Sequence, residues 1–79
     1  MILDETLIAE YQRELSAVVR SDIARRGWKQ KDLAETTGMT QARVSRLLHD
    51  KSEWTVRDLL AVSNALATPI RELLPVESA

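Results

Sequence analysis

Leu7, Tyr11, Leu15 and Val18, with Val19 and Ile23 beside them, step by three and four along the first third of the chain. That spacing lays one apolar stripe along a helix and predicts a first helix from about Asp4 to Arg26. Gly27 stands where a left-handed stop is needed, and Trp28 follows it in position to cover Ile23. The next three helix starts share one device, an apolar residue just before the cap and another four residues after it. Trp28 and Leu33 flank Lys29, Met39 and Val44 flank Thr40, and Trp54 and Leu59 flank Thr55. Asp58 completes a capping box with Thr55, whereas Lys29 offers no acceptor of its own and depends on Asp32. A fifth, short helix is expected after "ATPI", with Thr68 as cap, Pro69 at the first position, and Ile70, Leu73 and Leu74 as its apolar side. Residues 75–79 are expected to fray. β-Branched residues nowhere alternate as a strand requires, so the pattern predicts an all-α chain.

Length sharpens this picture. Seventy-nine residues make a single domain with a limited core, for which dimerisation is a common remedy. With no cysteine, neither disulfides nor thiolate metal ligands can add stability, which fits a reducing cytoplasm. The start "MILDETLIAEY" has no basic n-region and does not read as a signal peptide. No apolar run approaches the roughly 20 residues of a membrane span, so no membrane partner is expected.

Charge changes the picture more, through its distribution. The net charge is −1, but residues 23–51 carry seven basic side chains against three acidic ones. The flanking segments, 1–22 and 52–79, are both acidic. For a polyanion, local potential outweighs the total. The positive segment holds "TTGMTQARVSRLLHD", residues 36–50, where a turn leads into a helix from about Gln41 to His49. Leu33 and Ala34 on one side of the turn, and Val44, Leu47 and Leu48 on the other, read as inward positions. Gly38 suits a corner that needs positive φ, and the small Ala34 suits two short helices in close approach. Gln41, Ala42, Arg43, Ser45, Arg46 and His49 are left facing outward.

These residues resemble the helix-turn-helix of the Cro and phage-repressor-like (XRE) family. The matching positions are Gln30, Leu33-Ala34, Gly38, Thr40, Val44 and Leu47, and "TVRDLLAVSNALATPIRELL" is similar to that family's fourth and fifth helices. The resemblance covers roughly residues 23–74. It implies a compact five-helix bundle of the lambda-repressor-like type, here with an extended first helix, and a helix-turn-helix at about 30–49. It further implies a sequence-specific regulator that reads double-stranded DNA in the major groove with helix 41–49, as a homodimer on an inverted repeat. Gln41 and Ala42 match positions that touch base edges, suiting adenine and a thymine methyl, and Arg46 suits guanine. Arg43 and Ser45 flank this line and would serve a base or a phosphate. Gln30 matches a phosphate-binding position at a helix start, and Lys29, Lys31, Thr40, Lys51 and Ser52 are placed to join it. The chain departs from the family's pattern at Lys29, at Thr37, where an apolar residue is usual, and at His49-Asp50, where glycine is frequent.

Plainer readings stand beside these. Arg43 and Arg46 would be ordinary solvated charges on any exposed helix, and His49 reads as a helix-end residue, since it has no second ligand for a metal. Trp28 and Trp54 read as core edges. With no glycine-rich phosphate loop and no paired acid and base, no enzyme activity and no cofactor are expected. The rival class is a protein-interaction module, an antitoxin or co-regulator whose partner is a toxin or the polymerase. The acidic first helix favours that rival, because its carboxylates repel phosphates.

Overall fold

The computed structural model describes residues 4–74 as five helices with no strand among them. They are α1 (Glu5–Arg25), α2 (Gln30–Thr37), α3 (Gln41–Leu48), α4 (Val56–Leu66) and α5 (Ile70–Leu73). The expected fraying of 75–79 and the leading "MIL" lie outside the described residues. One core is shared by all five helices: Leu15, Val19 and Ile23 from α1, Leu33 and Ala34 from α2, and Val44 and Leu48 from α3. Val62 and Leu66 of α4 and Leu73 of α5 complete it.

The helix boundaries follow from their caps. Asp4 accepts from the Thr6 amide and opens α1. At its other end the Gly27 and Trp28 amides donate to the Ala24 and Ile23 carbonyls at 3.0 and 2.8 Å, with Gly27 at φ 73°, the stop read from the sequence. Lys29 indeed supplies no side-chain cap; Asp32 substitutes, accepting from the Lys29 amide at 2.7 Å. Thr55 and Asp58 form their reciprocal box. Thr37 stands where an apolar residue was expected, and it hides its polarity. Its hydroxyl donates to the Leu33 carbonyl at 2.7 Å and lies 3.2 Å from the Met39 amide.

Two expectations are corrected. The apolar stripe of α1 enters the core only from Leu15 onward. Leu7 is 46% exposed, because α2 to α5 gather around the C-terminal half of a helix of about 31 Å. Thr68 does not cap α5, whose N-cap is Pro69. Ala67 takes a left-handed conformation, φ 51°, to end α4, and the Thr68 amide then donates back to the Ser63 carbonyl at 3.0 Å. Thr68 therefore belongs to the stop of α4.

Candidate nucleic-acid interface

Between α2 and α3 the chain turns at Gly38, in the left-handed region at φ 79°. A Cβ there would meet nothing within 4 Å, so the need for glycine is conformational, not steric. Thr40 then caps α3, its hydroxyl accepting from the Arg43 amide at 3.0 Å. Ala34 is buried in the core that also holds Val44 and Leu48 of α3.

Burying Val44, Leu47 and Leu48 sets the rotation of α3. Gln41, Ala42 and Arg46 are exposed together on the opposite side, and Ser45 is half-buried beside them. Helix α1 does not cover them. Lys29, Lys31, Thr40 and Lys51 are also exposed, while Gln30 and Ser52 are half-buried. His49 lies outside this group in function, since its Nδ1 sits 2.9 Å from the Ser45 carbonyl one turn back and serves the helix end.

Arg43 is placed differently from its neighbours. Its Nη2 donates to Asp58 Oδ2 at 2.6 Å, and their side chains are only 29% and 8% exposed. The same carboxylate oxygen accepts from the Thr55 amide at 2.9 Å, so one acid closes the cap of α4 and ties α3 to it. Burial by itself pushes the Asp58 carboxyl up. The Thr55 amide and hydroxyl and the Arg43 guanidinium outweigh it, and the net effect holds Asp58 below its ordinary value. Arg25 and Arg26 are likewise occupied, both by Asp22. Among the described residues, Lys29, Lys31, Arg46 and Lys51 form no ion pair, so they carry the unneutralised positive charge of this segment.

Sequence reasoning missed the residues that hold the far end of α3. Ser16 is wholly buried, and its hydroxyl lies 2.9 Å from the Leu47 carbonyl and 2.8 Å from Asp50 Oδ1. It also accepts from Trp54 Nε1 at 2.9 Å. Arg20 donates to the Leu48 carbonyl, and the Trp54 amide donates to Gln12 Oε1 at 2.9 Å. Asp50 adopts φ 58° after α3, and the Lys51 amide closes on the Arg46 carbonyl at 2.8 Å. Aspartate thus takes the place of the usual glycine. The available signal was the spacing of Gln12, Ser16 and Arg20 by four along the first helix, which puts three polar side chains on one face.

A family model of helix-turn-helix domains matches residues 19–73, well over half of the chain. The chain belongs to this XRE-type helix-turn-helix family. The match begins four residues before the resemblance read from the sequence and takes in Arg20 and Asp22 of α1. Among solved structures, the restriction-modification controller protein C.AhdI from Aeromonas hydrophila is similar with a TM-score of 0.74 and 21% identity. The alignment covers 78% of this chain and 94% of that one. The clp gene regulator ClgR from C. glutamicum is similar with a TM-score of 0.73 and 26% identity, over 78% of this chain and 80% of that one. No curated protein matches the sequence. The chain is a DNA-binding helix-turn-helix protein, and α2 and α3 lie within the matched region. No described helix is long and apolar enough to cross a membrane.

Proposed function

We propose that the protein is a cytoplasmic, repressor-like transcriptional regulator that reads double-stranded DNA with the outward face of α3, as a homodimer on an inverted repeat. The observation that carries this reading is the joint exposure of Gln41, Ala42 and Arg46 on a capped helix, in a segment whose Lys29, Lys31 and Lys51 are also exposed. Gln41 has the paired donor and acceptor that match adenine, Ala42 a methyl for thymine, and Arg46 a fork for guanine O6 and N7. Ser45 adds a hydroxyl beside this line. Lys29, Lys31 and Lys51 supply phosphate charge, with Gln30, Thr40 and Ser52 as neutral donors around them. Arg43, engaged by Asp58, orients the helix in this reading more than it touches a base.

The homodimer draws support from α4. Val56 and Leu60 lie one turn apart and are 72% and 55% exposed, an apolar pair that a second copy of the chain would cover. In a twofold dimer the two recognition helices would enter successive major grooves about 34 Å apart. The names of C.AhdI and ClgR, a controller protein and a gene regulator, agree with a role at promoters.

Selection of binders from a random duplex pool tests the whole reading. The expected result is a symmetric motif whose affinity falls steeply with salt. Binding that is absent or indifferent to salt refutes it and points to a protein partner. Arg46→Ala is expected to cost about 1–3 kcal/mol at the selected site and to relax one base position.

A further inference from the structure

We infer that the polar ridge of α1, Gln12, Ser16 and Arg20, is a positioning device for the recognition helix and the loop behind it. This inference rests on the DNA-reading proposal and assigns that site three residues that never touch DNA.

The geometry is specific in where it acts. The three side chains recur every four residues, so they form one row along α1. Each reaches the same small region, the last turn of α3 and residues 50–54. Arg20 donates to the Leu48 carbonyl, the Ser16 hydroxyl shares its one proton between the Leu47 carbonyl and Asp50 Oδ1, and Gln12 accepts from the Trp54 amide. Trp54 returns a bond from its indole to Ser16, which closes the network. The final carbonyls of a helix have no partner within it, so these bonds are where the ridge can grip α3 without altering it.

Position matters here because α3 has only eight residues, about 12 Å, and too few to be stable alone. Arg43 and Asp58 fix one part of it; the ridge fixes the other. A rod this short that pivots about one end moves Arg46, near the other, away from a bidentate contact. The same ridge sets the loop carrying Lys51 and Ser52. Base-edge hydrogen bonds weaken steeply with misalignment, whereas attraction to phosphates tolerates it. Loss of the ridge is therefore expected to spare non-specific binding and to erode discrimination. It also gives the long first helix a role that its acidic composition conceals.

The test uses Ser16→Ala and Gln12→Leu, both of which leave the net charge unchanged, in the full chain. Affinity for the selected duplex and for a scrambled duplex is measured well below each variant's melting temperature, with the Trp54 indole N–H resonance followed by NMR. The expected result is a fall of at least fivefold in the ratio of specific to non-specific affinity. The ratio is the readout that a purely structural contribution, visible only in melting, would not move. In Ser16→Ala the indole resonance is expected to shift as its acceptor disappears. Gln12 is only half-buried, so Gln12→Leu carries the test if Ser16→Ala fails to fold. Folded variants with an unchanged ratio overturn the inference while the DNA-reading proposal stands. A wild-type chain with no sequence preference overturns both.

Discussion

At its N-terminal end α3 is closed by Thr40, three residues from the amide it caps, whereas at its C-terminal end Leu47 and Leu48 give their carbonyls to side chains 31 and 28 residues away. The first end is a local construction: Gly38 for the corner, Thr40 for the cap, Met39 and Val44 for the staple. Its ion pair, Arg43 with Asp58, adds a tertiary tie across the next loop to α4. The second end is assembled by folding, because α1 must first dock before Ser16 or Arg20 can reach it. A helix built this way combines a start that its own sequence nucleates with an end that exists only in the finished bundle. The contrast explains how a helix of two turns can be held rigidly at both ends.

Asp58→Ala should cause the largest loss, about 3 kcal/mol, by stranding Arg43 and opening the α4 cap together; chemical denaturation measures it. A loss below 1 kcal/mol would mean the Arg43 pair is not formed in solution. The pH dependence has a definite sign. Asp58 is held below its ordinary value, so its stabilisation is complete above the unfolded carboxylate range near pH 4 and disappears as pH falls through the lower folded value. Melting curves of Asp58→Asn should therefore be flatter than wild type below about pH 4.

Ser16→Ala should come next, at about 2 kcal/mol, since the Trp54 indole N–H loses its acceptor in a buried site. Indistinguishable urea midpoints for mutant and wild type would remove the ridge from the energetics of the fold. Thr40→Ala, at the locally built end, is expected to cost about 1 kcal/mol and to fray only the first turn, which amide exchange would locate. The smallest effect is expected at Asp50→Gly, within about 0.5 kcal/mol of wild type. Relief of the left-handed backbone there offsets the acceptor lost to Ser16. A marked loss would show that the carboxylate, not the backbone turn, fixes this end.

Much of this molecule is legible in one dimension. Periodicity places the helices, Gly27 and Gly38 mark two left-handed turns, Thr40, Thr55 and Asp58 mark two caps, and the inward set Val44, Leu47 and Leu48 leaves Gln41, Ala42 and Arg46 outward. These succeed because each rests on contacts within four residues, where spacing alone determines geometry. Thr68 misled because Ala67, a residue with no evident preference for φ 51°, ends α4 and draws the following amide with it.

The sequence by itself therefore determined the helices, the glycine stops of α1 and α2, and the side of α3 that meets solvent. Only the tertiary structure decided that Arg43 is held by Asp58, and that Ser16, Gln12 and Arg20 grip the far end of α3. The physical reason is that periodicity encodes which face of a helix is apolar but carries no register between helices. Polar partners on different helices are chosen by how those helices dock around the core.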